Sequence, residues 1–436
     1  MTKIILKTTL GIAVSLGASQ LFASGMALNQ QSVSSMGTGF AGRSSSADDA
    51  STVYSNPAGM ARLNGQQITG GFTVIDASSD IKDASGNGRG TNKGDMVPVT
   101  AIPFGFYTNT LNDQWAVGLG VYAPFGLTGD YENNFAGRAF GNKSEVQVVT
   151  FQPTVSYAFN DKVSVGFGPT FNRITGTLES GPNLSGLAAV GISALAGTGD
   201  NKIKIKGDDT AIGFNAGILV QATETTRVGL TYHSTVKYTL EGHTTVSPGT
   251  GVSAPYLNSG RYDASLKIDT PESWDLSFTQ DLNDAWKLYA GATWTRWSRL
   301  KDITVNNSGL TPASGGLAGG LVGTIKEDQN WHDTWAYAMG TSYQLNKQWV
   351  LRTGLSFDQS PTNNTDRSPR APTGDRVAFS VGAGYAVTED LTIDVAYSYL
   401  KEEEVKVTNQ NSVGQTYSAQ YENSANGFAV GATYHF

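Results

Sequence analysis

The stretch Trp349-Val350-Leu351-Arg352-Thr353-Gly354-Leu355-Ser356-Phe357-Asp358 alternates without a break. Trp349, Leu351, Thr353, Leu355 and Phe357 fall on one side, and Val350, Arg352, Gly354, Ser356 and Asp358 on the other. Only a β-strand sends successive side chains to opposite faces. Leu391 to Tyr399 repeats the pattern: Leu391, Ile393, Val395, Tyr397 and Tyr399 stand against Thr392, Asp394, Ala396 and Ser398. The final residues do the same, with Phe428, Val430, Ala432, Tyr434 and Phe436 against Ala429, Gly431, Thr433 and His435. Val163 to Phe171 and Trp286 to Trp294 behave likewise.

Two architectures use such strands. A soluble sandwich turns the apolar face to a core, and a transmembrane barrel turns it to lipid and the small polar face to the lumen. Three features select the barrel. Trp115, Trp286, Trp349, Tyr397, Tyr399 and Tyr434 stand near strand ends, where interfacial girdles form. Short turns such as Leu345-Asn346-Lys347-Gln348 and Thr388-Glu389-Asp390 alternate with long connections. The last strand ends on Phe436, and closure onto the first strand leaves no unpaired edge in lipid. The spacing predicts about fourteen antiparallel strands, beginning near Gln66, Val97, Gln114, Ser144, Val163, Lys202, Arg227, Gly260, Ala285, Ile325, Gln348, Gly374, Leu391 and Tyr417. Thr304 to Gly323 reads as a long outer loop.

Composition agrees. Of 436 residues 52 are glycine, and only 15 % are charged, against roughly 25 % in a soluble domain. No apolar run of about 20 residues follows the first 25 positions, so helices do not cross a membrane. The absence of cysteine removes disulfides, cysteine-ligated zinc and thiol catalysis. A net charge of −7 disfavours nucleic acid as a partner. His233, His243, His332 and His435 are scattered without ligand spacing, so no metal and no cofactor is expected. Gly37-Thr38-Gly39-Phe40-Ala41-Gly42 matches a dinucleotide fingerprint, but no βαβ unit surrounds it.

Residues 1–23 read as a signal peptide: Lys3 and Lys7 precede the apolar Ile4 to Leu16, and a small residue, Ala23, sits at the cut. Residues 65–436 form the barrel. Residues 24–64 do not alternate; they are small and polar, and their bends are consistent with a mostly helical hatch folded into the lumen, the alternative being a disordered leader. Within it, Asn56 can close a side-chain turn, Pro57 fixes φ, and Gly59, beyond Ala58, permits positive φ.

Residues 181–200 form a long loop in which Leu184, Leu187, Ala188, Ile192 and Leu195 recur at helical spacing. With Phe125, Leu127, Phe135 and Phe140 they would line an apolar groove outside the membrane; packing of the two loops on each other uses the same residues. Arg352 is a candidate cation for an anionic ligand, or the partner of Asp358 or Asp394 in a lumenal ion pair.

Ser24-Gly25-Met26-Ala27-Leu28-Asn29, Ala47-Asp48-Asp49-Ala50 and Asn56-Pro57-Ala58-Gly59-Met60 resemble the start of the FadL-type outer-membrane transport proteins, which include long-chain fatty acid transporters and TodX-like hydrocarbon channels. Pro271-Glu272-Ser273-Trp274, Trp294-Thr295-Arg296-Trp297-Ser298, Asn330-Trp331-His332-Asp333-Thr334-Trp335 and Gly374-Asp375-Arg376 extend the resemblance to the C-terminal half. It implies a monomeric, non-enzymatic channel in the Gram-negative outer membrane, surrounded by lipid and lipopolysaccharide. It further implies capture of a fatty acid in an outer apolar groove, passage to a pocket near the hatch terminus, and sideways exit at a kink in the third strand. Gly118, Gly120 and Pro124 are the candidate kink formers. Arg173 lies where the family places a basic residue in the fifth strand, although alternation from Val163 points it outward. His332 falls near a position where the fatty acid transporters tend to carry lysine, and Met26 stands where an aromatic residue is expected. Both departures keep a small neutral hydrocarbon open as the ligand. An outer-membrane hydrolase and an adhesin or phage receptor are the alternative readings.

Overall fold

Alternation with a period of two has built one closed sheet in the computed structural model, which describes residues 25–182, 201–247, 260–309, 322–411 and 414–436. Nineteen strand segments join in it. Five staves consist of two segments each, so fourteen strands close the wall. They are β1 (Gln66–Gly86), β2 (Thr100–Thr110), β3 (Trp115–Asp130), β4 (Lys143–Asn160), β5 (Val163–Ser180), β6 (Lys202–Gln221), β7 (Thr226–His233 and Val236–Ser247) and β8 (Gly260–Thr270 and Ser273–Asp281). There follow β9 (Trp286–Thr295 and Asp302–Ser308), β10 (Thr324–Asp328 and Thr334–Gln344), β11 (Trp349–Asp358), β12 (Arg376–Ala386), β13 (Leu391–Glu402 and Val405–Gln410) and β14 (Thr416–His435). Each pairs antiparallel with the next, and β14 closes on β1 from Gln67↔His435 to Gly86↔Tyr417. The predicted starts lie within three residues of these. Thr304–Gly323 is corrected in part: Thr304 to Ser308 belongs to β9, with Thr304 to Asn306 paired to β10 and Val305 to Ser308 paired to β8, while 310–321 lie outside the described residues.

The outward face is apolar, with Met339 71 % and Ile212 67 % exposed, an arrangement that water would punish and lipid accepts. Two aromatic girdles bound it. Trp115–Tyr157, Trp286–Tyr343 and Trp349–Tyr385 form cross-strand pairs at one end. Tyr232, Trp274, Trp294 and Trp335 are successive register partners at the other. The eight residue steps from Trp286 to Trp294 on β9 span roughly 21 Å of height at ~3.4 Å per residue and ~40° tilt, close to the apolar band of such barrels. Tight turns lie at the Trp286 end, where Asn112, Asn283 and Asn346 each accept two backbone N–H bonds. This is the periplasmic rim.

Residues 25–65 lie inside the wall as helical turns and bends: α1 (Val33–Gly37), α2 (Thr52–Ser55) and a 3-10 turn (Pro57–Arg62). Ser32 caps α1 by accepting from the Ser35 N–H at 3.3 Å. The Asn56 side chain accepts from the Ala58 N–H at 3.0 Å and donates to the carbonyls of Ser44 (2.6 Å) and Ile218 (3.1 Å). The Ala58 carbonyl takes hydrogen bonds from Ser164 (2.9 Å) and Ser156 (3.3 Å). Asn56-Pro57-Ala58 is thereby fastened to β4, β5 and β6. Gly59 does not occupy positive φ, contrary to the reading above; it is needed because a Cβ there would stand 2.1 Å from Thr52 Oγ1.

Wall glycines admit this segment. A Cβ on Gly229 would lie 1.7 Å from the Ser44 carbonyl oxygen, on Gly354 2.0 Å from that of Thr38, and on Gly217 2.0 Å from Asn56 Oδ1. The lumen is thus shaved where the inner backbone comes closest. Gly354→Val is expected to destabilise the docked segment by about 1–3 kcal/mol or more. The barrel should still assemble, and planar-bilayer recordings should show larger and noisier ion conductance than wild type; unchanged conductance would contradict this packing.

Candidate functional site

The ladder between β2 and β3 runs from Thr110↔Ala116 to Gly105↔Val121 and stops there. On the other side of β3 the register with β4 shifts between Tyr122 and Phe125. An extra residue is accommodated at Ala123-Pro124, and Pro124 brings no N–H to a ladder. The edge of β3 freed from β2 is taken by the start of the inner segment: the Leu28 N–H donates to the Pro124 carbonyl and the Gly126 N–H to the Met26 carbonyl, both at 2.8 Å. Between β2 and β3 the wall therefore has an unladdered window. It is bridged toward the outer rim by Asp130 N–H donating to Met96 O at 2.7 Å. Fully buried Gln31 donates to the Ala123 carbonyl from inside.

Gly118 and Gly120 form no kink. Both sit in continuous register, Gly118 with Thr108 and Thr154, Gly120 with Phe106 and Gln152. Their missing side chains make room for Val53 and Met60: a Cβ on Gly118 would lie 2.5 Å from Met60 Sδ, and one on Gly120 3.2 Å from Val53.

Above the inner segment lies an apolar cavity, lined by Met26, Leu127, Val146, Ile174, Leu178, Leu240, Leu266, Ile268, Leu300, Ile303, Val305 and Trp331. Apart from Met26 of the inner segment and Leu300 and Trp331 in the breaks of β9 and β10, these are inward positions on the outer halves of strands between β3 and β9. Met26 and Leu127 belong both to this lining and to the strand pair at the window. Phe125 packs edge-on against Trp297 (centroids 6.2 Å), and Trp297 in turn against Trp331 (5.1 Å). Two charged residues stand in the lining, Lys206 and Arg370; Arg370 is held by Glu327 at 2.9 Å and by Ser144 and the Lys143 carbonyl at 3.0 Å.

The other expected ligand residues are placed elsewhere. Phe135 is fully buried, stacked on Tyr131 at 3.9 Å and edge-on to Tyr417, so it knits the loop after β3 rather than lining the cavity. Burial among these rings also raises the Tyr131 phenol well above its ordinary pKa. Phe140 is half-buried against the same core, outside the lining. Arg173 points out of the wall, 3.9 Å from Asp208, as strand parity requires. His332 is exposed and borders a separate polar depression with Asn363, Arg367, Asp375 and Glu403; its neighbour Trp331 enters the cavity instead. Leu184, Leu187, Ala188, Ile192 and Leu195 lie outside the described residues. Arg352 pairs with Asp394 at 2.5 Å, and Asp358 with Arg376 at 2.9 Å.

Sequence reasoning missed Arg43. Its Nε donates to Asp275 at 2.8 Å and its Nη1 to Asn29 at 2.7 Å. Burial alone would lower the Arg43 pKa; the Asp275 carboxylate beside it more than offsets that and holds the guanidinium charged. The pair ties the inner segment to β8.

A closed fourteen-stranded barrel, filled from within by its own N-terminal segment, with an apolar cavity above and a wall window beside it, defines an outer-membrane channel for hydrophobic solutes. The chain belongs to the family described as "Outer membrane protein transport protein (OMPP1/FadL/TodX)", whose profile matches residues 14–436. It is 30 % identical to a long-chain fatty acid transport protein of Escherichia coli O6:H1, over 99 % of this chain and 98 % of that one. It is 27 % identical to outer membrane protein P1 of Haemophilus influenzae, over 96 % and 95 %. Among solved structures, a Pseudomonas aeruginosa FadL homologue superposes with a TM-score of 0.83 at 27 % identity, covering 94 % of this chain and 99 % of that one. The Ralstonia pickettii toluene transporter TbuX shares the fold at a TM-score of 0.69 and 19 % identity, over 94 % and 99 %. The protein is an outer-membrane transporter of hydrophobic substrates in a Gram-negative bacterium, and its family is one of transporters rather than enzymes.

Arg43→Met should leave the buried Asp275 carboxylate without its cation and cost about 3 kcal/mol of docking. Hydrogen exchange at the Ser44 and Asn56 amides should rise about a hundredfold, while exchange in β11 to β14 stays at wild-type level.

Proposed function

We propose that this protein is a passive channel for long-chain fatty acids, in which the cavity beneath the outer loops holds the alkyl chain and the window between β2 and β3 is its exit toward the membrane. The observation that carries the reading is that Met26 belongs to both the cavity lining and the strand that covers the edge of β3. A ligand that displaces Met26–Leu28 would open the window from the cavity side. Residues 25–64 thus act as a hatch whose first residues move while Asn56 to Gly59 stay fastened. At ~0.8 kcal/mol per buried CH₂, a 16-carbon chain brings roughly 10 kcal/mol before entropic costs. The carboxylate, expensive to desolvate alone, meets Arg370 by competing with Glu327. The chain carries no ATP-binding motif, so flux follows the gradient.

A small neutral hydrocarbon is the second reading. It is favoured by Arg370 being already paired with Glu327 in a lining that is mostly apolar.

Oleate should bind the purified protein saturably, and Ile174→Trp, which fills the cavity, should weaken it at least tenfold. Arg370→Gln should weaken oleate and leave toluene unchanged if the fatty acid is the substrate. Absence of saturable oleate binding would overturn the first reading. Deleting Ala123, which removes the extra residue from β3, should abolish uptake in cells while retaining oleate binding in vitro.

A further inference from the structure

On the outer wall, just beyond the upper aromatic girdle, two staves break at the same height: β8 at Pro271-Glu272 and β9 between Thr295 and Asp302. The breaks gather three charged side chains that the transport route does not use. Glu272 keeps only 8 % of its side chain exposed, because Arg299 grips it through Nε and Nη2 (the latter at 2.7 Å) and Arg296 through Nη1 at 3.2 Å. Two guanidiniums on one carboxylate leave one positive charge over. Of the nearby acids, Asp269 on β8 lies within electrostatic reach of Arg299, and Asp333 caps the Ser298 N–H at 3.0 Å; neither makes an ion pair with Arg296 among the described residues. Trp297, next in the chain, is buried in the lumen, whereas Arg296 is half exposed on the opposite side, and the rest of its fork takes no hydrogen bond among the described residues.

We propose that Arg296 and Arg299 form a binding site for the phosphate of a phosphorylated glycolipid of the outer leaflet, of the lipid A class. A half-exposed guanidinium at the edge of hydrocarbon, sharing its carboxylate with a second arginine, draws an anion, and a planar fork with unused donors matches phosphate oxygens. The surroundings select a lipid over a free phosphate. Trp274, 44 % exposed, lies directly below on β8, with Leu276 and Phe278 following toward the membrane centre. A headgroup held at Arg296 would lay its acyl chains along that column, charge above and hydrocarbon below. The site places the protein's height and rotation in the leaflet against a specific lipid, and it is separate from the cavity and the window.

The test uses the full-length protein in detergent, native mass spectrometry as the readout, and bisphosphorylated lipid A as the probe. Arg296→Gln leaves the Arg299–Glu272 pair in place, so the barrel should fold and keep its heat-modifiable migration on gels. It should lose about fivefold to tenfold in lipid A retention. The triple variant Glu272→Gln/Arg296→Gln/Arg299→Gln, which buries no unpaired charge, should lose more. Lys202→Gln/Lys204→Gln, also on the outer wall, should bind as wild type. Dephosphorylated lipid A should bind wild type no better than the phosphorylated form binds the triple variant. Unchanged retention by folded Arg296→Gln, or equal retention of dephosphorylated lipid A by wild type, would overturn the assignment.

Discussion

Within hydrocarbon each backbone N–H and C=O must find a partner in the chain itself, because no water is present to take one. Closure of β14 on β1 satisfies that demand around the wall. At the window the demand is met in a different way: the edge that β3 withdraws from β2 is paired by Met26 to Leu28. The inner segment is therefore a lumen filler along most of its length and a strand of the wall at its first residues. The same residues line the cavity, so the integrity of the wall and the contents of the lumen are mechanically joined.

The rest of the inner segment is held by two kinds of contact. Glycines on the inward face, Gly166, Gly229, Gly340, Gly354 and Gly382 among them, let main chain approach main chain. Buried ion pairs then bind particular points: Arg43 to Asp275 across the lumen, with Arg352–Asp394 and Arg376–Asp358 within the wall. Such pairs gain little net stability over apolar replacements, but each is costly to break singly. Their arrangement favours one seated position for the segment rather than many.

Strand placement was legible because a period of two is a local property, needing no knowledge of the partner. The window was legible only in part. Pro124 is visible in the sequence as a ladder breaker, but whether a residue is extra depends on the strand opposite, and Gly118 and Gly120 carry the same local signal for a different reason. The ion pair between Arg43 and Asp275 joins positions 232 residues apart, and nothing local marks it. His332 rests on the family resemblance alone, and because parity is lost across the break in β10 no local pattern marks its neighbour Trp331 as the residue that enters the cavity. One signal was present and unread. In β5 the apolar face is outward at Phe167 and Phe171 but inward at Ile174 and Leu178, where Arg173, Thr175 and Thr177 face out. In β6 the outward Ile212 and Phe214 give way to outward Lys202, Lys204 and Lys206. That reversal of the greasy side marks both the membrane boundary and the cavity above it.

The pairing of Met26 to Leu28 with β3 has a consequence for where the window can discharge. Peeling those residues away strands the Pro124 carbonyl and the Gly126 amide, and two orphaned peptide groups are tolerable only where water or a hydrated ester can reach them. On the lateral route proposed above, departure of a solute would therefore be confined to a moist layer at the bilayer shoulder. The oily midplane would then be closed by the cost of desolvating those two groups, without a side chain as a gate.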